Sequence, residues 1–199
     1  MTRGVRRGVT TPHPVVGVVL AAGAGTRYGM PKILAAEGDW LHSAVRALHD
    51  GGCERVLVTR GAATPPVPTD VEPVDVEDWA TGLSASVAAG LRAARDGGPV
   101  AGVVLHVVDV PDTSAAVVAR VLSVAAADPD ALVRATFHRN PGHPVYIGAR
   151  HIDAVTATLT GDRGAGRYLN ASPATRDIEC GDLATGVDHD RPVPGQSGA

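Results

Sequence analysis

The apolar run Val15–Ala21 passes without a break into a glycine-rich loop that ends at Lys32. A run of that length with no polar alternation predicts a parallel strand buried on both faces. Glycines at positions 23, 25 and 29 let the backbone turn sharply and bring main-chain amides close to an anion. Arg27 and Lys32 add fixed positive charge, so the loop is suited to a polyphosphate. Two familiar glycine loops are excluded. The dinucleotide fingerprint G-x-G-x-x-G would need glycine where Tyr28 stands, and a P-loop would need glycine before Lys32 and Ser or Thr after it, where Pro31 and Ile33 stand.

Lys32 is the only lysine in a chain with 18 basic residues. A compact ammonium and a planar guanidinium are not interchangeable, so a lone lysine at the end of such a loop is a candidate for chemistry. The 21 acidic residues outnumber the basic ones, and the net charge of −3 leaves no basic excess to attract nucleic acid or an anionic membrane. Aromatics at 3% are too few for a base-stacking platform. Cys53 and Cys180 have neither metal-ligand nor redox-motif spacing, which fits a reducing compartment. Arg3, Arg6 and Arg7 precede the first apolar run, but Pro12 and Pro14 separate them from it, and the run enters a glycine loop instead of a cleavage site. No stretch approaches the ~20 apolar residues of a membrane span. A cytoplasmic location is expected.

Along the chain, residues 1–14 read as a loose basic leader, 15–190 as one domain and 191–199 as a flexible tail. Strands are predicted at Val15–Ala21, Glu54–Thr59, Val71–Val76, Ala101–Val108, Ala131–Phe137 and Pro144–Ile147, with two more near Arg176–Glu179 and Thr185–Asp188. Pro73 makes the third an edge strand. Helices are predicted over Trp40–Asp50, Gly82–Asp96, Ser114–Ala127, 149–159 and 163–171, and Asn140–His143 reads as a turn-rich segment. Alternating strands and helices predict a three-layer α/β domain with a mostly parallel sheet, whose ligands lie beyond the carboxyl ends of the strands. The loops after Ala21 and Val108 are therefore the first places to look.

Asp109 stands at the end of the most apolar strand, where a carboxylate is costly unless it meets a cation or water. Hard oxygen ligands of this kind suit Mg²⁺. Asp112 reads as a cap of the next helix. Trp79 and Gly82-Leu83-Ser84 lead into a helix start, whose free amides favour an anion or a polar ligand edge, although Ser84 or Ser86 is equally suited to capping that helix.

The segment Leu20-Ala21-Ala22-Gly23-Ala24-Gly25-Thr26-Arg27-Tyr28-Gly29-Met30-Pro31-Lys32 resembles the signature of the nucleotidyltransferases that activate molybdopterin-type cofactors and sugar phosphates. The resemblance continues through Asp78–Ser86, Val108-Asp109-Val110-Pro111, Pro141-Gly142-His143-Pro144 and Gly161-Asp162-Arg163-Gly164-Ala165, and spans residues 15–190. In this order the motifs are similar to the molybdenum cofactor cytidylyltransferase branch.

The resemblance implies a Rossmann-like, glycosyltransferase-A-type nucleotidyltransferase fold. It also implies CMP transfer from CTP to the terminal phosphate of a molybdopterin-type acceptor, with Mg²⁺ as cofactor and a molybdenum hydroxylase as downstream partner. Ala22 is what points to the cytidylyl branch. By the same resemblance Leu20, Ala21, Ala22, Gly23, Gly25, Thr26, Arg27, Lys32 and Ser84 contact the nucleotide, and Gly82 and His143 the acceptor. Arg27, Lys32 and Asp109 act in catalysis, and Asp109 and Asp188 hold the metal. Asp188 and Asp190 share a D-x-D-x-P pattern whose usual acidic continuation is missing after Pro192, which leaves the choice between them open. Guanylyl transfer, sugar- or polyol-phosphate acceptors and a non-catalytic nucleotide-binding maturation protein are the alternatives.

Overall fold

The computed structural model describes residues 13–191, so the expectations for residues 1–12 and 192–199 lie outside the described residues. Among the described residues seven strands run in chain order as β1 (Val15–Leu20), β2 (Arg55–Arg60), β3 (Glu72–Asp75), β4 (Gly102–Val107), β5 (Leu132–Phe137), β6 (Asn140–Gly148) and β7 (Thr175–Glu179). Five α-helices among the described residues lie between them: α1 (Asp39–Asp50), α2 (Leu83–Asp96), α3 (Ala115–Ala125), α4 (Ile152–Thr158) and α5 (Gly166–Ala171). The strands form one sheet in the order β3-β2-β1-β4-β6-β5-β7. Only β6 runs against its neighbours.

The two-residue period of the strands divides the core into two layers. Val15, Val19, Val56, Val58 and Val104 face α1 and α3, meeting Leu41, Val45, Leu48, Val117 and Val121. Val16, Val18, Leu57, Val103 and Leu105 face the other way, toward Val87 and Leu91 of α2, Ile152 and Val155 of α4 and Leu169 of α5. Strands buried on both faces account for the unbroken apolar runs of β1 and β4. Before the first strand, the Pro14 carbonyl already accepts a hydrogen bond from the Ala101 amide at 2.9 Å. Pro73 sits in β3 at the sheet edge, as its missing amide requires.

Four local expectations are corrected. Asn140–His143 is not a turn but the start of β6. The hairpin turns instead at His138 and Arg139, both left-handed at φ 50° and 69°. Their amides donate to the Glu179 carboxylate at 2.9 and 3.1 Å, and Thr136 Oγ1 donates to it as well. Those amide bonds hold Glu179 down at a pKa of about 2. Thr185–Asp188 forms no strand. It is an extended segment tied down by Asp112 Oδ2, which accepts from the Thr185 amide at 2.7 Å and its hydroxyl at 2.6 Å, so Asp112 anchors this segment and is not a helix cap. Neither Ser84 nor Ser86 caps α2, which begins after Gly82 without a side-chain cap.

Candidate functional site

The carboxyl ends of β1 and β4 open into a cleft of about 570 Å³. Its floor begins at Leu20, Ala21 and Ala22, where β1 ends. The buried Thr59 fixes this point from the neighbouring strand: its Oγ1 accepts from the Ala21 amide at 3.1 Å and donates to the Val19 carbonyl at 3.3 Å. The loop then folds on Gly25, whose carbonyl accepts from the amides of Tyr28 at 2.9 Å and Gly29 at 2.8 Å. Gly25 is left-handed at φ 61°, and a Cβ there would fall 1.9 Å from the Met30 carbonyl oxygen. Only glycine fits that turn.

Lys32 closes the loop and reaches across the cleft. Its Nζ lies 2.6 Å from Asp109 Oδ2 at the end of β4 and 2.7 Å from Asp190 Oδ1. Burial pulls the Lys32 pKa down, but the two carboxylates outweigh it and hold the ammonium above its ordinary value. Arg27 Nη1 meets the other Asp190 oxygen at 2.9 Å. The Lys32 hydrogen bond, with its charge and that of Arg27, keeps Asp190 below the ordinary carboxylate range. Lys32 has only 14% of its side chain exposed against 75% for Arg27, so the lysine is the built-in charge and the arginine the solvated one.

The last described segment crosses the same cleft. The His189 amide donates to the Asp109 carbonyl at 3.0 Å. Its ring lies 5.3 Å from that of Trp40 in α1, and Trp40 lies 5.3 Å from Tyr28 of the glycine loop. Asp188 also lines the cleft. It makes no ion pair or hydrogen bond among the described residues, and burial and the charge of Asp109 push its pKa up. Asp109, paired with Lys32 through one oxygen, and Asp188 together offer the oxygen donors that a divalent cation takes. No group of three or more His, Cys, Asp or Glu side chains among the described residues is arranged to hold a metal. Two carboxylates, with water and substrate oxygens completing the shell, are enough for Mg²⁺.

The opposite wall carries Trp79, Ala80, Gly82, Leu83, Ser86 and Asp162. Gly82 has φ 116°, and a Cβ there would come within 2.6 Å of Asp162 Oδ1 and of the Gly161 backbone. This close approach seats the 161–162 turn on the start of α2, and the Ser84 amide donates to the Gly161 carbonyl at 2.9 Å. His143 lines the cleft beside β4, and its Nδ1 donates to the Leu105 carbonyl at 3.3 Å. Burial outweighs that bond and the nearby charges of Asp109 and Asp188, lowering its pKa and favouring a neutral ring with Nε2 as the remaining polar atom.

Of the residues singled out in the sequence, Leu20, Ala21, Ala22, Gly23, Gly25, Thr26, Arg27, Lys32, Gly82, Asp109, His143 and Asp188 all line this one cleft. Ser84 does not. It is turned into the core while Ser86, two residues on, lines the wall. Sequence reasoning left two features unread, the grip of Asp190 on both loop cations and the Tyr28–Trp40–His189 stack, because each joins segments far apart in the chain.

Comparison with known proteins agrees with this fold. The chain is 35% identical over 191 residues to the nicotine blue oxidoreductase of Paenarthrobacter nicotinovorans, covering 88% of this chain and 92% of the relative. Rv0371c of Mycobacterium tuberculosis has the same fold, with 24% identity, a TM-score of 0.73 and coverage of 89% of this chain and 94% of that one. A further structure of Rv0371c is a complex with manganese. A nucleotidyl transferase from Methanothermobacter thermautotrophicus superposes with a TM-score of 0.73 at 20% identity, over 89% and 92% of the two chains. Residues 17–176 match the MobA-like NTP transferase domain, an interval that contains the glycine loop, Lys32, Asp109, His143 and most of the sheet that brings them together. With its glycine loop, lone lysine and strand-end aspartate on one cleft, the chain belongs to the MobA-like NTP transferase domain family.

Proposed function

We propose that this protein transfers a nucleoside monophosphate, CMP from CTP, to the terminal phosphate of a molybdopterin-type acceptor and releases pyrophosphate. The observation that carries this reading is the convergence of Arg27, Lys32, Asp109 and Asp188 on one cleft at the ends of β1 and β4. An oxygen of the acceptor phosphate attacks the α-phosphorus. The new P–O bond forms as the bond from the α-phosphorus to the β-phosphate bridging oxygen breaks, and pyrophosphate leaves with that electron pair. No protein nucleophile is required, so the task of the chain is to align two anions and neutralise developing charge.

In this reading the amides of Gly23, Gly25 and Thr26 cradle the triphosphate while Arg27 and Lys32 take its β- and γ-phosphates. Leu20, Ala21 and Ala22 carry the nucleoside, Ala22 being the residue that favours cytosine. Ser86 replaces Ser84 as the serine of α2 facing the ligand. Gly82 and His143 face the acceptor. The lowered pKa of His143 favours accepting a hydrogen bond from a hydroxyl or N–H group over pairing with phosphate as a cation. Asp109 and Asp188 would hold Mg²⁺, which would supply positive charge to offset that of the phosphates. The manganese complex of Rv0371c supports a divalent ion in this fold.

Among the described residues no helix is long and apolar enough to cross a membrane. Cys53 and Cys180 are free and buried, which supports the cytoplasmic setting in which a molybdenum hydroxylase would receive the product. A pyrophosphate-release assay with molybdopterin and each of CTP, GTP, ATP and UTP tests the reading. Release with CTP alone is expected. Selective use of GTP would replace the base assignment and keep the reaction, whereas no release with any nucleotide would remove it.

One observation favours a second reading, a redox enzyme: the 35% identity with a protein named nicotine blue oxidoreductase. Tyr28 in place of the third glycine weighs against a dinucleotide fingerprint here. Oxidation of reduced nicotinamide cofactor in the presence of nicotine blue would establish this reading, and its absence alongside pyrophosphate release would exclude it.

A further inference from the structure

Asp190 is bonded to both cations of the glycine loop at once. Its Oδ1 accepts from Lys32 Nζ at 2.7 Å and its Oδ2 pairs with Arg27 Nη1 at 2.9 Å. Two anionic oxygens bridging an ammonium and a guanidinium reproduce what a phosphate group would offer the same pair. Orientation of Lys32 does not require this contact, because Asp109 already holds the ammonium at 2.6 Å. Nor does Arg27 need a partner for burial, since three quarters of its side chain is exposed.

The main chain around Asp190 is pinned. Thr185 is held by Asp112. The His189 amide is held by the Asp109 carbonyl and its ring stacks on Trp40. The Asp190 side chain itself is 40% exposed, so rotation about its own bonds can carry the carboxylate into water while the backbone stays in place.

We propose that Asp190 is a built-in competitor for the polyphosphate: in the free protein its carboxylate stands where phosphate oxygens of the ligand bind, and the two exchange. This rests on the reading that the glycine loop takes a nucleoside triphosphate. Binding then replaces two ion pairs instead of adding two. Asp190 therefore sets how tightly the loop holds a polyphosphate, and its return helps to expel pyrophosphate after transfer.

The test is calorimetric titration of the full chain with inorganic tripolyphosphate in metal-free buffer, using wild type, Asp190→Asn, Asp190→Ala, Asp190→Glu and Lys32→Ala. Asp190→Asn and Asp190→Ala are expected to bind about tenfold more tightly than wild type, Asp190→Glu to remain near wild type, and Lys32→Ala to bind more weakly. Two neutral replacements of different shape guard against one that merely folds poorly, and thermal unfolding of each checks this. If wild type binds and Lys32→Ala weakens binding, but the neutral Asp190 variants bind no more tightly, the competitor role is overturned and the nucleotide reading survives. If no variant binds tripolyphosphate either in metal-free buffer or after Mg²⁺ is added, both fall.

Discussion

Lys32 Nζ and Asp109 Oδ2 lie 2.6 Å apart, joining residues 77 positions apart in the chain. The bond ties the end of the glycine loop to the end of β4, across the cleft at the carboxyl ends of β1 and β4. It also places the only lysine of the chain against the carboxylate best situated to hold a cation. In such a site charge is preorganised before the substrate arrives, which is the condition for electrostatic catalysis.

Removal of that lysine is expected to act on turnover more than on binding. Lys32→Ala should lower kcat by roughly 100- to 1,000-fold, the usual effect of deleting one preorganised donor, with a smaller change in KM for the nucleotide. Lys32→Arg should not restore the rate, because a guanidinium fork cannot take the place of a compact ammonium between Asp109 and Asp190. Steady-state kinetics of both variants checks this, and wild-type turnover in Lys32→Ala would remove its leaving-group role.

Gly25 sets the shape of the loop. Gly25→Ala puts a Cβ 1.9 Å from the Met30 carbonyl oxygen at a left-handed backbone position. The strain is expected to cost about 1–2 kcal/mol of stability. Opening of the turn should weaken triphosphate binding by at least about tenfold, since loop amides would no longer converge. Chemical denaturation and nucleotide titration on the same preparation separate the two effects.

These residues were legible because their signal is local. An apolar strand, a glycine turn and a charged residue at its end all lie within Val15–Lys32, and the unbroken run before Asp109 marks a second buried strand with its carboxylate at the tip. What escaped depends on partners distant in sequence. The hairpin tip at His138–Arg139 carries no glycine, and it is held by Glu179 some 40 residues later, so the Pro-Gly of the following segment was the stronger turn signal. Lys32 and Asp190 are 158 residues apart. Ser84 and Ser86 are chemically alike and two positions apart on α2, so they point to different faces, and only the packing of the helix shows that Ser86 is the one on the cleft.

His106 makes the fold acid-sensitive. It lies in β4 with no exposed surface, and neither ring nitrogen has a partner among the described residues. Burial, with a smaller contribution from His143, drives its pKa down to about 3. The folded state thus keeps the ring neutral, while the unfolded chain protonates it near the ordinary value of 6.5. Stability from this position is complete above pH 6.5 and is lost as pH falls toward 3. At pH 5 the loss is about 2 kcal/mol. His106→Leu should therefore gain stability relative to wild type by more at pH 5 than at pH 7.5, and thermal melts at the two values check the difference.

The most direct test of nucleotide recognition at this cleft is a thermal-unfolding panel of the wild-type protein and Lys32→Ala with CTP, GTP, ATP and UTP, each with and without Mg²⁺. A ligand at one hundred times its Kd stabilises the folded state by about 2.7 kcal/mol, which is readily visible as a rise in Tm. Wild type is expected to show a magnesium-dependent rise that is largest with CTP and is reduced in Lys32→Ala. No rise with any triphosphate, or an equal rise in the two proteins, would overturn nucleotide recognition by the glycine loop and Lys32.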